Sequence, residues 1–269
     1  MTTPPPGSHV PARCLAKLYE DGPGQTGDLR VSALVEGAER LGIELGDAQL
    51  ARLDQLGAAL REGNRRVNLT RITDPTEIET RHFLDSLSAA VPLLDRLRQG
   101  EAPRLVDVGS GGGMPGLPLK IAFPRLRVTL VESVNKKAEF LRETVSALGL
   151  LEVEVVAERA ETAARQAEHR DAYDWAVARA LGTLPVVVEL CAPFLAPGGL
   201  LVAQRSGDLD GEMLRAAPAF KALHLWTRTP IYLDLPALPR HGLVVGEKYA
   251  PTPEAYPRRP GMAHKRPLA

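Results

Sequence analysis

The sequence predicts an α/β fold built on a doubly wound, mostly parallel sheet. Five short apolar segments recur between residues 105 and 203 with helical patterns between them, which is typical of a parallel sheet covered by helices on both faces. A glycine cluster follows the first segment directly, as in the first βα turn of nucleotide-binding sheets. The five predicted strands are 105–108, 128–131, 153–156, 175–178 and 200–203.

The chain of 269 residues divides by composition into four regions. Residues 1–28 are rich in Pro and Gly without apolar periodicity, which predicts a disordered head. Residues 29–100 carry helical patterns, and 101–250 hold the predicted sheet, in which 223–232 and 240–249 are expected to add an antiparallel last pair. The proline-rich, basic tail 251–269 is interpreted as unable to pack a core, hence as solvated or as an electrostatic arm.

Local signals predict the helices of the N-terminal helical region. Two helices are expected between residues 31 and 60, the second capped by Asp47 with leucines spaced along one face. A third helix is predicted to start with Asp74 as N-cap, Pro75 in the first turn and Glu77 closing a capping box. This third helix carries the sequence 81–87.

Composition narrows the class of protein. The formal net charge is zero, which argues against a protein that coats nucleic acid by charge alone. No signal peptide, membrane-crossing run or metal-ligand spacing is recognised, so a cytoplasmic enzyme without metal is expected. Cys14 and Cys191 do not make a disulfide framework, and Cys191 is interpreted as a core residue.

The glycine cluster allows two interpretations. Gly111, Gly113 and Gly116 form a G-x-G-x-x-G dinucleotide pattern, but this register starts three residues past the strand and places Pro115, which has no N–H, in the phosphate loop. The other register runs from Asp107 through Gly109, directly after the strand. It resembles the first motif of Rossmann-like class I S-adenosylmethionine-dependent methyltransferases, which hold no phosphate there.

Polar residues follow the later strands where a nucleotide would lie. Glu132 comes 23 residues after Gly109 and is placed to accept both ribose hydroxyls, although a solvated strand end is the alternative. Ala160 and Glu161 are expected near an adenine edge. Arg179 ends the fourth strand, where we expect either an ion pair with Glu161 or Glu132 or a contact with cofactor or guanine.

Further motifs resemble one family closely, the bacterial small-subunit ribosomal RNA guanine-N7 methyltransferases, also called the glucose-inhibited division protein B family. The resemblance covers the chain from about residue 29 to its end and rests on segments 66–70, 82–87, 107–119, 177–180 and 256–261. The chain departs from the family in its long head and in Met114, where the family often has Phe or Leu.

The resemblance implies an S-adenosylmethionine-dependent enzyme that methylates N7 of a guanine in 16S ribosomal RNA, acting as a monomer on free RNA or on an assembling subunit. The implied cofactor contacts are Gly109, Gly111, Met114, Glu132, Ser133, Val134, Ala160, Glu161 and Arg179. Candidate RNA contacts are Asn68, Thr70, Arg179, Arg205, Arg258 and Arg259.

The residues themselves agree with this chemistry. N7 of guanine carries a free lone pair and no proton, so its methylation requires placement of nitrogen and methyl group but no general base. His82 is interpreted as a packing or helix-capping residue, and Asn68 and Thr70 as turn residues or as contacts to a flipped base. Two other functions stay open: methylation of a small molecule or protein, and non-catalytic nucleotide binding.

Overall fold

A computed structural model describes residues 32–268, so the predicted disordered head and Cys14 lie outside the described residues. Within them the chain forms one eight-stranded sheet of order β3-β2-β1-β4-β5-β8-β6, with β7 beside β8. The strands are β1 (Arg104–Val108), β2 (Arg127–Val131), β3 (Val153–Val156), β4 (Tyr173–Arg179), β5 (Leu195–Ser206), β6 (Leu225–Thr227), β7 (Ile231–Tyr232) and β8 (His241–Lys248).

The helices lie before the sheet and between its strands. They are α1 (Ala33–Arg40), α2 (Asp47–Asn64), α3 (Pro75–Ile78), α4 (Asp85–Ser88), α5 (Leu94–Arg98), α6 (Gly116–Ala122), α7 (Asn135–Ala147), α8 (Ala160–Ala163), α9 (Leu184–Cys191), α10 (Leu209–Ala222) and α11 (Met262–Lys265). A π-helical segment (Glu79–Leu84) joins α3 to α4, and two 3-10 turns occur at Val91–Leu93 and Ala192–Phe194.

The predicted doubly wound sheet is confirmed. Strands β1 to β5 pair in parallel in the order 3-2-1-4-5, and all five predicted segments lie within them. The order reverses beside β1, so the carboxyl ends of β1 and β4 flank the switch point where such sheets bind ligands. The antiparallel ending is also confirmed, with β8 between β5 and β6.

Two apolar clusters cover the two faces of the sheet. On one face the N-terminal helices contribute Leu56 and Phe83 to a core shared with Trp175 of β4. On the other face α9, α10 and the tail pack on the sheet, and Ala263 of the tail is buried there. The N-terminal helices therefore share their core with the sheet.

The helix starts differ in detail from the sequence prediction. Asp74 is the N-cap of α3, as predicted, and its carboxylate accepts a hydrogen bond from Glu77 N. Glu77 does not complete a reciprocal box; its carboxylate pairs with Arg81 one turn later, at 3.0 Å. Asp47 is the first residue of α2, not its cap, because Gly46 takes the N-cap position.

The tail is packed on the body of the protein, so the interpretation of a solvated or electrostatic arm is wrong. The guanidinium of Arg258 donates two hydrogen bonds to the carboxylate of Glu189 in α9, at 2.8 Å from Nε and 2.5 Å from Nη2. Arg165 and Arg170 donate to backbone carbonyls of the tail. A tail without an apolar stripe can dock because buried charges and backbone acceptors take the place of a hydrophobic face.

Lys248, at the end of β8, anchors the start of the tail. Its ammonium group is buried and lies 2.7 Å from Thr252 Oγ1, 2.8 Å from the carbonyl of Ala192 and 3.3 Å from Asp171 Oδ1. Burial lowers the pKa of Lys248 to about 8, against the opposing effect of Asp171. The tail thus begins at a charged group inside the protein.

Across 32–268 no helix is long and apolar enough to cross a membrane.

Candidate functional site

The glycine loop after β1 has the geometry that the second register requires. Gly109, Gly111 and Gly113 all have positive φ, at 76°, 55° and 92°, which side chains disfavour. The buried carboxylate of Asp107 accepts a hydrogen bond from Gly116 N at 2.8 Å and so ties the end of β1 to the start of α6.

Burial raises the pKa of Asp107 to about 7. One carboxylate oxygen of this residue, Oδ1, is buried with no hydrogen-bond partner in the structure. A buried carboxylate that lacks partners for one oxygen is stabilised in its protonated form, so both protonation states of Asp107 are populated near pH 7.

Glu132 is not a solvated strand end. Only 6% of it is exposed, and its two carboxylate oxygens accept hydrogen bonds from Gly111 N at 2.9 Å and Val134 N at 2.7 Å. The carboxylate thus joins the loops after β1 and β2. Each oxygen has one further acceptor position, so the group can still receive ribose hydroxyls.

A small cavity of about 60 Å³ lies beside the glycine loop and contains the residues predicted near an adenine edge. It is lined by Gly109, Ser133, Ala160 and Glu161, with His264 of the tail. Glu161 is buried, and its carboxylate accepts a hydrogen bond from Gly261 N of the tail at 2.7 Å. The docked tail therefore closes one side of this cavity.

A cavity of about 850 Å³ opens on the other side of the glycine loop, between the N-terminal helices and the ends of β4, β5 and β8. Its volume lies in the range of ligand pockets. Among the predicted residues it is lined by Gly109, Gly111, Met114, Thr70, Arg179 and Arg205. Residues that the sequence analysis did not single out as site residues also line it: Arg71, Glu77, Arg81, Asp85, Gln204, Glu212 and His241.

Arg179 does not pair with Glu161 or Glu132, and the expectation of an ion pair with either is wrong. Its guanidinium lies 3.0 Å from Asp85 Oδ2 and also donates to the carbonyl of Arg81. Asp85 is buried in α4, and its pKa is lowered because hydrogen bonds from His241 and Arg179 outweigh the opposing effect of burial. This partner lies in the N-terminal helical region, 94 positions before Arg179, so the sequence analysis did not identify it.

His82 does more than pack. Its Nε2 lies 2.8 Å from Thr70 Oγ1, and its Nδ1 lies 3.2 Å from a guanidinium nitrogen of Arg179. Burial and the neighbouring Arg179 lower the pKa of this histidine to about 4. The imidazole is therefore neutral at pH 7 and belongs to the polar wall of the cavity. It caps no helix.

The remaining predicted RNA residues fall into different places. Asn68 is exposed and does not line the large cavity. Arg205 lines it, but its guanidinium is paired with Glu212 at 2.7 Å. The guanidinium of Arg258 is paired with Glu189, whose side chain is buried, whereas Arg259 is exposed.

Asp85 could have been found from the sequence. It follows His82 by three positions, a spacing that places both side chains on one face of a helix, and it stands among buried apolar residues. Gln204 and His241 carried no such signal.

Cys191 is buried, as expected, and burial raises the pKa of its thiol well above the usual range. No cluster of metal-ligating side chains occurs in the described part of the chain.

The loop fits the cofactor that the sequence resemblance implies. Space above Gly111 is open, since a Cβ built there would have only the carbonyl of Gly109 within 4 Å. At Gly109 itself a Cβ would approach Leu181 Cδ1 to 2.6 Å, so added bulk there meets a side chain that lines the small cavity.

Comparisons with known proteins agree with this geometry. The model of the family described as rRNA small subunit methyltransferase G matches residues 49–225. A protein named ribosomal RNA small subunit methyltransferase G from Roseiflexus castenholzii is 46% identical over 228 residues, 84% of this chain and 95% of that protein. One of the same name from Pelotomaculum thermopropionicum is 43% identical over 236 residues, 87% of this chain and 96% of that protein.

Among solved structures, the CMeT domain of a citrinin polyketide synthase aligns with a TM-score of 0.50 at 10% identity. The alignment covers 62% of this chain and 53% of that chain, and it concerns the fold alone.

Proposed function

The chain belongs to the rRNA small subunit methyltransferase G family, and we propose that it methylates N7 of one guanine in small-subunit ribosomal RNA. Its cofactor is S-adenosylmethionine, and it is a methyltransferase like the relatives it matches. The choice of N7 rests on the chemistry of the large cavity.

The observation that carries this proposal is that every acidic side chain lining the large cavity is paired with an arginine. Asp85 pairs with Arg179, Glu77 with Arg81 and Glu212 with Arg205. Hydrogen bonds from His241 and Arg179 lower the pKa of Asp85 despite its burial, so this carboxylate is a poor proton acceptor.

The two histidines of the cavity differ in what their ring nitrogens contact. His82 contacts Thr70 and Arg179 through its two nitrogens, whereas among the described residues His241 is hydrogen-bonded through Nδ1 alone, 3.2 Å from Asp85 Oδ1. Methylation of an amino or hydroxyl group would need a base to remove a proton, whereas the lone pair of guanine N7 does not. The pairing of the three carboxylates and the engagement of both His82 nitrogens therefore support attack by N7.

Different parts of the site would bind the cofactor and the guanine. Bound S-adenosylmethionine supplies a methyl group on a sulfonium centre. The open space at Gly111 would leave room for it, Glu132 would accept hydrogen bonds from its ribose hydroxyls, and Ala160 beside the small cavity would border its base. The large cavity holds the guanine so that N7 and methyl group lie in line, about 3 Å apart.

We further propose that the enzyme acts as a monomer in the cytoplasm on ribosomal RNA, free or partly assembled. The loop at the end of α2 supports an RNA contact, since Arg65, Arg66, Asn68 and Arg71 are exposed beside the large cavity. Arg259 is the remaining candidate in the tail. A flipped base would pass this loop to reach Arg179.

A direct experiment is methylation of small-subunit RNA by the purified protein with S-adenosylmethionine labelled in the methyl group. Treatment with borohydride and aniline cleaves RNA at N7-methylguanosine, so label should coincide with one cleavage position. RNA from a strain that lacks the gene should lose that cleavage. Label at an exocyclic amine or in protein would contradict the proposal, and cofactor binding without methyl transfer would favour a binding module.

A further inference from the structure

Thr70 lies at the wall of the large cavity in a position fixed by its backbone. Its N–H and that of Leu69 donate to Asn64 Oδ1, at 3.0 and 2.8 Å, so the end of α2 holds the loop in place. Its hydroxyl oxygen accepts from Ile72 N at 3.0 Å and lies 2.8 Å from His82 Nε2. The side chain has a defined set of partners.

The tautomer of His82 follows from Arg179. A guanidinium has only donors, so we assign Nδ1 of His82, 3.2 Å from Arg179 Nη2, as the accepting nitrogen. The carbonyl of Arg81 also lies near this ring, but it already accepts a hydrogen bond from Arg179 Nη1 at 3.0 Å. In the neutral imidazole the proton is then on Nε2 and is donated to Thr70 Oγ1. Arg179 cannot turn away, since Asp85 and the carbonyl of Arg81 hold the same guanidinium.

The hydroxyl of Thr70 is left as a donor. Its oxygen accepts two hydrogen bonds, from Ile72 N and from His82 Nε2, which use both lone pairs. Within residues 32–268 its O–H meets no acceptor, and the residue lines the large cavity. A ligand in that cavity would therefore meet a hydroxyl that can donate but has no lone pair left to accept.

Such a donor distinguishes guanine from adenine. Both purines present N7 as an acceptor, so a site that only aligned N7 with a methyl group would accept either base. The neighbouring position differs, because guanine has the acceptor O6 where adenine has the donor N6–H₂. A fixed donor beside the reacting nitrogen is matched by O6 and opposed by an amino group.

We propose that Thr70 is a specificity-determining residue whose hydroxyl donates to O6 of the target guanine, with His82 as the positioning residue that fixes the direction of this donor. The proposal rests on the proposed function, since it requires a purine in the large cavity. Arg179 sets the chain of hydrogen bonds and itself borders the same cavity.

The test uses the full-length protein and RNA in which the methylated guanine, once mapped, is replaced by inosine, which keeps O6, or by 2-aminopurine, which lacks it. The unchanged protein should act on guanine and inosine far better than on 2-aminopurine. Thr70→Val keeps the shape of the side chain without its hydroxyl, and kcat/KM for guanine should fall about 10- to 100-fold while that for 2-aminopurine changes little. Thr70→Ser should restore most of the guanine preference.

The positioning role of His82 has its own readout. His82→Gln, which can still donate to Thr70, should keep the ratio of guanine to 2-aminopurine activity better than His82→Phe. Nitrogen chemical shifts of His82 should show a neutral ring protonated on Nε2. Thr80→Val is the matched control, because the Thr80 hydroxyl bonds only to helix carbonyls.

Different results would contradict the proposed function and the role of Thr70. Absence of any N7-methylguanine with the unchanged protein would overturn the proposed function. Normal methylation together with an equal loss on guanine and 2-aminopurine in Thr70→Val would overturn the role of Thr70 alone. A ring protonated on Nδ1 would overturn the role of His82. Titration with S-adenosylmethionine should give the same affinity for Thr70→Val and the unchanged protein.

Discussion

The arginine-rich loop at the end of α2 and the arginine-rich tail look alike in sequence but differ in what their guanidinium groups contact. In the loop, Arg65 and Arg66 form exposed ion pairs with Glu62 and Glu143. In the tail, Arg258 reaches a glutamate whose side chain is 1% exposed. Basic composition alone therefore does not identify an RNA-binding surface; the burial of the acidic partner decides it.

The consequence is a division of roles between two segments that flank the sheet domain. The N-terminal helices bring Thr70, His82 and Asp85 to the large cavity, where they can meet a substrate. The tail supplies groups that close the small cavity and hold the fold, through Arg258 and Gly261. On the proposed function, one segment would contact the substrate, whereas the other stabilises the fold around the site.

The largest expected effect is a loss of folding stability when the tail loses its ion pair with Glu189. Arg258→Ala should lower the free energy of unfolding by about 3–5 kcal/mol, because it leaves the buried Glu189 charge without a partner. Chemical denaturation measures this loss. Adding Glu189→Leu should restore part of the stability, since the orphaned charge is then removed. If Arg258→Ala is as stable as the unchanged protein, the tail is not held by this pair.

The loop should show the opposite pattern. The variant replaces Arg61, in the last turn of α2, and the loop residues Arg65, Arg66 and Arg71 by Gln. RNA binding at low salt should become weaker. The slope of log affinity against log salt should fall by roughly 0.7–0.9 for each phosphate that the protein no longer neutralises. Stability should change little, since exposed ion pairs contribute about 0–1 kcal/mol. Binding isotherms over a salt series test this; an unchanged slope would move the RNA surface elsewhere.

A third prediction concerns His82, which links the N-terminal helices to β4. Its folded pKa of about 4 lies below the ordinary value of 6.5, so the unfolded chain binds the proton first as pH falls. This contribution to stability is complete above pH 6.5 and is lost between about 6.5 and 4. An NMR titration should place the midpoint of His82 near 4. A midpoint near 6.5 would mean that the burial of His82 and its contact with Arg179 are not kept in solution.

The smallest effect is expected for Arg259, the neighbour of Arg258. Its side chain is exposed, so Arg259→Ala should change the free energy of unfolding by no more than about 0.5 kcal/mol. The same variant should reduce the RNA salt slope by at most the amount expected for one phosphate. A destabilisation comparable to that of Arg258→Ala would show that the tail depends on both arginines.

Much of the cofactor side of the site was predictable because its signals are local. The glycines after β1, Glu132 after β2 and the pair at 160–161 each follow a strand, and parallel strands bring their carboxyl ends to one edge. The substrate side was less predictable. Arg179 was recognised, but its partner Asp85 lies 94 positions earlier, and no periodicity connects them.

By itself the sequence determined the alternation of strands and helices, the positive-φ glycine loop and the N-cap at Asp74, because each depends on residues within a few positions. Only the tertiary structure decided which charges became partners. Asp85 and His82 meet Arg179 through packing of the N-terminal helices on the sheet, and Glu189 meets Arg258 because the tail folds back over α9. Ion pairs follow distance in space, while sequence patterns reflect only neighbours along the chain.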